Sequence, residues 1–590
     1  MASAAPPSSR WLHGMTADLL VGCGGLYMFL FAGLLFAAPQ INAATPQFLL
    51  PLLILVFSLP HYGGTLVRVY QEREERRKYV VFTVYATVFL CAWFAIGTYY
   101  TMIGSLMVTL YITWSPWHYS GQNYGLMLMF LGRRGVTVTP LAKRAIWASF
   151  LLSYILTFLA GHGAIDPAIE STGPTYESIE FVPIGIPFGF TRISALLVFG
   201  LYVVAVAVAA AQLLRTGRLR DLFPSAMLLL SQSLWFVVPT TARYMQLNVG
   251  DQGAVAYSVQ PFLWVAVAHA LQYLWITSYY AKHSKNWRGY AAYYRNTLLA
   301  GSLVWVLPVV IFAPYALGGL PFASGLALLM SALVNLHHFV LDGAIWKLRS
   351  SRIASILIRN QDELADDSAA IGPPRRTWFK HVVWATAGVC ALLQITIYYQ
   401  QSIVLPGAFN RGDLALARET IDDLVWSGRA TANYRLVLGD RLREAGDIDG
   451  AIFQYKQIIK VETSDLPSAV DALAFTYMKS NRSEEAREMF QRAIDEGYAS
   501  ELTYYNFGTM FAIDDRAREA EQMFRKAIEL NPMLARGHSQ LATALVKTNR
   551  VSEGIEHYRL SLEIEPANLR ARRNLAAAIK MKQKIRRPSL

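Results

Sequence analysis

The sequence predicts an all-α protein in which a polytopic bundle of about eleven transmembrane helices precedes a C-terminal α-solenoid of helical repeats. Apolar runs near the 20 residues needed to span a bilayer fill the chain before about residue 400, and no comparable run follows Val404. After that point, small and aromatic residues recur every 34 or 35 positions. These patterns divide the chain into an N-terminal cytoplasmic segment (1–16), a membrane domain (17–400), a repeat domain of about five repeats (401–585) and a basic tail (586–590).

The composition indicates a lipid environment for much of the chain. The chain has 590 residues, which is more than one soluble core usually holds. Of these residues, 54% are hydrophobic and 13% aromatic. The net charge of +13 does not indicate a nucleic-acid partner, because the basic residues of the first 400 positions cluster in short loops between apolar runs. The three cysteines, Cys23, Cys91 and Cys390, lie inside apolar runs, which argues against a disulfide set or a thiolate metal site.

Loop charges give the predicted spans a direction. The spans are residues 17–39, 46–62, 79–99, 102–130, 143–161, 191–214, 222–241, 254–281, 296–315, 321–346 and 380–400. Each loop after an even-numbered span is basic, whereas the loop after span five is acidic through Asp166, Glu170, Glu177 and Glu180. The positive-inside rule therefore predicts a cytoplasmic N-terminus and repeats on the outer side. In a bacterial cell this is a multi-pass inner (cytoplasmic) membrane protein with periplasmic repeats.

The repeat region carries a defined pattern of small and aromatic positions. One series of small residues is Ala417, Ala451, Ala486, Ala520 and Gly554, and a second is Gly439, Ala474, Gly508, Ala542 and Ala576. The aromatic positions are Tyr455, Phe490, Phe524 and Tyr558. The segment AREAEQMFRKAIELNP, from Ala517 to Pro532, resembles the second helix of the tetratricopeptide repeat family. This resemblance covers residues 405–585 and implies a docking surface for a protein partner or for self-association.

Five histidines lie within the predicted spans or at their ends. The spans that carry them, numbers two, four, eight and ten, all run from the outside inward. They are His61, His118, His269, His337 and His338. Because an imidazole in lipid is unfavourable unless it has a partner, we predict that these five residues meet at one depth and bind a metal. Polar partners follow at helical spacing: Gln122 after His118, Gln272 after His269, and Asp342 after His338. We predict that Asp342 is a ligand or base and that the two glutamines orient ligands.

The ligand chemistry indicates a transition metal. Imidazoles with a carboxylate and no thiolate suit iron, copper or zinc rather than magnesium or calcium. In this respect the membrane domain is similar to integral-membrane fatty-acid desaturases and alkane hydroxylases, whose histidine boxes hold two irons. The similarity implies a metal-dependent oxidoreductase with dinuclear iron or copper, acting on a lipid or another membrane-buried substrate. The sequence departs from the HxxxH and HxxHH boxes of those families, because it has single histidines and one pair, His337-His338.

Two other functions remain open at this stage. Histidines from two helices could hold b-type haem for electron transfer. Alternatively, the chain could be a glycosyltransferase-like protein or a non-catalytic assembly scaffold. A glycosyltransferase-like protein would have its catalytic carboxylates among Asp166, Glu170, Glu177 and Glu180.

Overall fold

The computed structural model describes residues 10–46, 48–71, 79–163, 179–245, 259–284, 287–313, 316–318, 325–346, 351–358, 377–427, 429, 431–460 and 466–586. Within these ranges the protein is helical, and the one bridge between extended segments joins Gly163 to Ile186. The chain divides into two compact units, whose described residues lie up to Gly407 and from Ala408 onward. Most of the acidic loop, including Asp166, Glu170 and Glu177, and the tail 587–590 lie outside the described residues.

The first unit consists of apolar helices of very different lengths. They are α1 (Met15–Ala17), α2 (Gly25–Ala44), α3 (Leu49–Leu53), α4 (Leu59–Gln71), α5 (Ala86–Gly97), α6 (Thr101–Arg133), α7 (Pro140–His162), α8 (Phe188–Thr216), α9 (Leu219–Gln232), α10 (Val238–Met245), α11 (Val259–Lys282), α12 (Tyr290–Ile311), α13 (Ala327–Ile345), α14 (Ser351–Leu357) and α15 (Thr377–Tyr399).

Several of these helices have the length and composition of membrane spans. Among the described residues, seven are long and apolar enough to cross a membrane, or eight if the bent pair Met15–Gly22 and Gly25–Leu34 is one span. The long helices α6 and α11 are not among the seven, although they carry polar side chains of the candidate site. Several apolar helices are therefore present, while the count of eleven spans stays a prediction.

Five-residue π-helical turns interrupt the helices at several points. They lie at Asp18–Gly22, Ile54–Ser58, Val81–Tyr85, Ser233–Val237 and Gln400–Val404. A π-turn holds one residue more than an α-turn, so it rotates the side chains that follow by about 100° relative to an unbroken α-helix. Ile54–Ser58 leads directly into α4, which carries His61.

Glycines bring α4 and α12 into backbone contact. A Cβ atom added at Gly63 would lie 1.7 Å from the carbonyl oxygen of Thr297, and one added at Gly301 would lie 1.9 Å from that of Leu59. The two helices therefore touch at a pair of positions where no side chain fits, as small residues allow in membrane helix pairs.

The second unit is a row of short helices. They are α16 (Leu405–Arg411), α17 (Leu414–Trp426), α18 (Ala432–Glu444), α19 (Ile448–Ile459), α20 (Leu466–Lys479), α21 (Ser483–Asp495), α22 (Glu501–Ile513), α23 (Ala517–Leu530), α24 (Ala535–Lys547), α25 (Val551–Ile564) and α26 (Leu569–Arg586). Each helix packs against the next one along the chain for most of the row, as expected for a helical solenoid.

The turns between paired helices repeat the same backbone conformation. Left-handed φ angles of 61° to 89° occur at Gly412, Gly446, Asn481, Asp515 and Asn549. These positions are separated by 34, 35, 34 and 34 residues. Glycine, asparagine and aspartate are the residue types that adopt this conformation most easily. The structure thus shows a periodic unit of 34 or 35 residues.

Aromatic side chains fill the core of each helix pair. The Tyr455 ring packs against Gly439, where an added Cβ atom would lie 2.5 Å from the ring. The Phe524 ring packs against Gly508, where the corresponding distance is 2.8 Å. Tyr455, Phe490 and Phe524 are fully buried. Two of the small positions identified in the sequence, Gly439 and Gly508, thus face aromatic rings of the following helix.

We expect Phe524→Ala to destabilise the repeat unit by about 3–5 kcal/mol, because it leaves a cavity where a fully buried ring packs. Chemical denaturation of the full chain, followed by hydrogen exchange in α22 and α23, measures this. The matched control is Ile513→Ala, whose side chain is 73% exposed and should change stability by less than about 0.5 kcal/mol. Equal effects of the two substitutions would contradict the packing described above.

Candidate metal centre

Four histidines from four helices meet inside the first unit. His61 is on α4, His118 on α6, His269 on α11 and His338 on α13. Their ring centroids form a closed four-membered arrangement, with separations of 4.4 Å (His61–His338), 5.0 Å (His338–His118), 5.1 Å (His118–His269) and 4.9 Å (His269–His61). Three of the rings are almost fully buried. The structure therefore brings together four of the five predicted metal ligands.

Three imidazole nitrogens of this group lack a hydrogen-bond partner among the described residues. Among the described residues, neither nitrogen of His269 has a partner, and Nε2 of His118 has none. The Nε2 atoms of His61 and His338 lie 2.9 Å apart, facing each other. Since buried polar atoms are nearly always satisfied, several unpartnered nitrogens in one place indicate a ligand site.

The spacing of the nitrogens fits a small metal ion. Ligand atoms of His61, His269 and His338 lie within 4.8 Å of one another, as do those of His118, His338 and Asp342. Imidazole binds a metal such as zinc at about 2.0–2.1 Å, so two nitrogens on one ion are roughly 3–3.4 Å apart. Modest side-chain shifts would bring both groups to that spacing. His338 belongs to both groups and is the central residue of the site.

Aromatic rings surround the four histidines. Tyr119 lies against His269 with a centroid separation of 4.1 Å, and Phe339 stacks on His118 at 4.3 Å. Tyr62 stacks beside His61 at 4.8 Å. These neighbours hold the rings in place and exclude water from the centre of the group.

Asp342 joins the site through a hydrogen-bond network that the sequence did not predict. Its Oδ2 atom lies 3.4 Å from Nε2 of His338. Its Oδ1 atom accepts hydrogen bonds from Thr65 Oγ1 and from the hydroxyl of Tyr273, each at 2.9 Å. Thr65 and Tyr273 are both buried. Thr65 lies four residues after His61, on the same face of α4, and that spacing was a signal that could have identified it.

The two predicted orienting glutamines bond to each other. Gln122 Nε2 donates to Gln272 Oε1 at 2.5 Å, and Gln272 Nε2 donates to the carbonyl oxygen of Gly22 at 2.8 Å. Among the described residues, no hydrogen bond joins either amide to a site histidine. Both contacts tie helices together, so the predicted catalytic role of Gln122 and Gln272 gains no structural support.

His337 lies apart from the other four histidines. Its Nε2 atom is 2.8 Å from Thr87 Oγ1 and 3.3 Å from the hydroxyl of Tyr70. Neighbouring residues of an α-helix point about 100° apart, and here His338 faces the other histidines whereas His337 faces Thr87 and Tyr70. The structure therefore does not place His337 with the predicted metal ligands.

No protein-family model and no curated protein sequence matches this chain. Among solved structures, a crystal structure of MamA protein is 26% identical, with 26% of this chain and 83% of that chain covered and a TM-score of 0.24. MamA 41-end from Desulfovibrio magneticus RS-1 is 17% identical, with 29% and 97% covered and a TM-score of 0.25. YrrB, described as a TPR protein with an unusual peptide-binding site, is 19% identical, with 26% and 78% covered and a TM-score of 0.23. These solved structures match 26–29% of this chain.

Proposed function

We propose that this chain is a membrane-embedded, metal-dependent oxidoreductase whose metal is held by His61, His118, His269 and His338. The observation that supports this most directly is the closed group of four imidazoles, three of them buried, in which His118 and His269 have nitrogens without a partner among the described residues. Burying such a group without a ligand would be unfavourable, because each unpaired buried polar atom costs about 1–3 kcal/mol.

The ligand set favours one metal ion. Among the described residues that surround the four histidines, Asp342 is the one carboxylate within reach. Ferritin-like dinuclear iron centres use several carboxylates, and the desaturases hold two irons with several histidine boxes of two or three histidines each. Four imidazoles with one carboxylate instead suit a single iron or copper, with zinc as a further candidate. The dinuclear iron implied by the desaturase similarity is therefore replaced in this proposal by a mononuclear centre.

The residues around the ion define what the site can do. A bound iron or copper would supply one-electron redox chemistry or activation of dioxygen. The four imidazoles would hold the ion, and Asp342 would be a further ligand or a base beside it. Tyr119 and Phe339 exclude water from two sides. We propose that the substrate is a lipid or another membrane-buried molecule, because His61 and His338 lie on helices that are long and apolar enough to cross a membrane.

The two units have separate roles in this proposal. The membrane unit carries the chemistry, in an inner membrane with a cytoplasmic N-terminus. The repeat unit, on the outer side, docks a protein partner or a second copy of this chain. YrrB has a peptide-binding site by its description, and an extended polypeptide is the corresponding partner proposed here.

The geometry does not favour haem between these histidines. Two axial ligands of one haem iron lie on opposite sides of a planar macrocycle, with their nitrogens about 4 Å apart. Here Nε2 of His61 and Nε2 of His338 are 2.9 Å apart, closer than two such ligands would be. No specific observation favours the glycosyltransferase-like alternative over the metal site.

Elemental analysis and an optical spectrum of the detergent-purified full chain test the proposed function. We expect about one equivalent of iron or copper per chain and no Soret band. A protein that contains no transition metal, and that does not bind added Fe²⁺ or Cu²⁺ tightly, would overturn the proposal. A Soret band would favour the haem alternative instead.

A further inference from the structure

Thr65 lies at the centre of the hydrogen-bond network behind the candidate ligands. Its Oγ1 atom is 2.9 Å from Nδ1 of His338, 2.9 Å from Oδ1 of Asp342 and 2.5 Å from the hydroxyl oxygen of Tyr273. All four side chains are buried. A threonine hydroxyl has one proton to donate and two lone pairs to accept with, so these three contacts use its complete hydrogen-bonding capacity.

The direction of each hydrogen bond follows from the carboxylate. The Thr65 hydroxyl donates its single proton to Oδ1 of Asp342. Its lone pairs are then available to accept from Nδ1 of His338. For His338, this requires a proton on Nδ1, and in a neutral imidazole the lone pair is then on Nε2. Nε2 is the atom that faces His61 and the centre of the four-histidine group.

We propose that Thr65 is a positioning residue that transmits the orientation of Asp342 to His338 and fixes His338 in the Nδ1–H tautomer, with Nε2 free to bind the metal. This inference rests on the proposed function, because it assigns Nε2 of His338 as a metal ligand. Histidine ligands commonly donate their second nitrogen to a carboxylate or carbonyl. Here a hydroxyl stands between Nδ1 of the imidazole and Oδ1 of the carboxylate and passes on the same polarity, while Oδ2 of Asp342 lies 3.4 Å from Nε2.

Tyr273 holds the other side of the network. Its hydroxyl contacts both Thr65 and Asp342 and lies 3.3 Å from Nε1 of Trp346, which donates to it. Tyr273 donates its one proton to Oδ1 of Asp342. The Thr65 and Tyr273 protons thus both point towards the carboxylate, and neither is left for Nδ1 of His338 to accept.

The tautomer of His338 is measured directly by ¹⁵N NMR of histidine-labelled full chain in detergent, at a pH where the imidazoles are neutral, without added metal. The His338 signal is identified by its loss in His338→Ala. We expect the Nδ1–H tautomer in the unsubstituted chain and in Thr65→Ser, and the Nε2–H tautomer in Thr65→Val. Asp342→Ala should also give the Nε2–H tautomer, because Thr65 can then donate its proton to Nδ1.

Metal affinity provides the second measurement. Competition of a chelator for Fe²⁺ or Co²⁺ should show a loss of about 10–100-fold in Thr65→Val, the range typical for residues that orient a metal ligand, and recovery in Thr65→Ser. The matched control is Thr277→Val, which removes a buried hydroxyl that bonds Tyr273 O and Tyr293 OH but no histidine. It should leave both the tautomer and the affinity unchanged.

The two measurements separate this inference from the proposed function. An unchanged His338 tautomer in Thr65→Val, or equal metal affinity in Thr65→Val and the unsubstituted chain, would overturn the role of Thr65 while the metal site stands. If the unsubstituted chain binds no metal but the tautomer changes as expected, the proposed function fails and the link from Asp342 through Thr65 to His338 stands.

Discussion

Replacing His338 by alanine is expected to remove the bound metal almost completely. His338 belongs to both groups of ligand atoms that lie within 4.8 Å of one another, so no arrangement of the remaining side chains reproduces either group. Since residues that merely orient a ligand change metal affinity by about 10–100-fold, loss of the central ligand should exceed about 100-fold. Metal content after purification and the affinity for re-added Fe²⁺ or Cu²⁺ measure this.

The neighbouring histidine provides the control. His337→Ala changes the same residue type, one position away on the same helix, but its imidazole bonds Thr87 rather than the site histidines. We expect its metal content to match that of the unsubstituted chain. Equal loss of metal in both variants would show that α13 responds to any substitution in this region, and it would remove the distinction between the two histidines.

Substituting Gly63 is expected to disturb the site without touching a ligand. An alanine Cβ there would lie 1.7 Å from the carbonyl oxygen of Thr297. Because the obstructing atom belongs to the backbone, no side-chain rotation relieves the clash, and α4 must move away from α12. His61 and Thr65 lie two residues to either side of Gly63, so both would shift. We expect Gly63→Ala to lower stability by about 1–3 kcal/mol and metal affinity by at least about tenfold.

A second glycine supplies the comparison for this prediction. A Cβ at Gly343, which follows Asp342, meets nothing within 4 Å, so Gly343→Ala should bind metal normally. Thermal unfolding and metal content of the two variants, measured in the same detergent, decide the matter. A well-folded Gly63→Ala protein with full metal content would contradict the tight contact of α4 with α12.

The repeat unit could be predicted from the sequence because its signal is periodic. Small residues such as Gly439 and Gly508 and rings such as Tyr455 and Phe524 recur with the spacing that the structure also shows in its left-handed turns. A period that recurs several times identifies a repeat architecture even where single residues vary. The turn positions were missed, because glycine, asparagine and aspartate alternate there and no single residue type marks them.

The candidate site could be predicted only in part. Shared depth and residue type brought His61, His118, His269 and His338 together in the prediction, but they gave no information about which side of a helix faces inward. His337 was included for that reason. Gln122 has the same spacing from His118 as Asp342 has from His338, yet its amide turns to Gln272. Helical spacing shows which residues can be neighbours, whereas the surrounding helices decide which of them bond.

The length of the π-turn at Ile54–Ser58 affects the direction in which His61 points. It lies just before His61 and adds one residue to the helical path that leads there. Removing a single residue from this turn would restore a regular α-helix and swing His61 and Thr65 about 100° around the axis of α4. The number of residues in this turn therefore determines the orientation of the His61 imidazole, as much as their chemical identity does. In relatives of this chain, we expect residues of this turn to be substituted far more often than inserted or deleted.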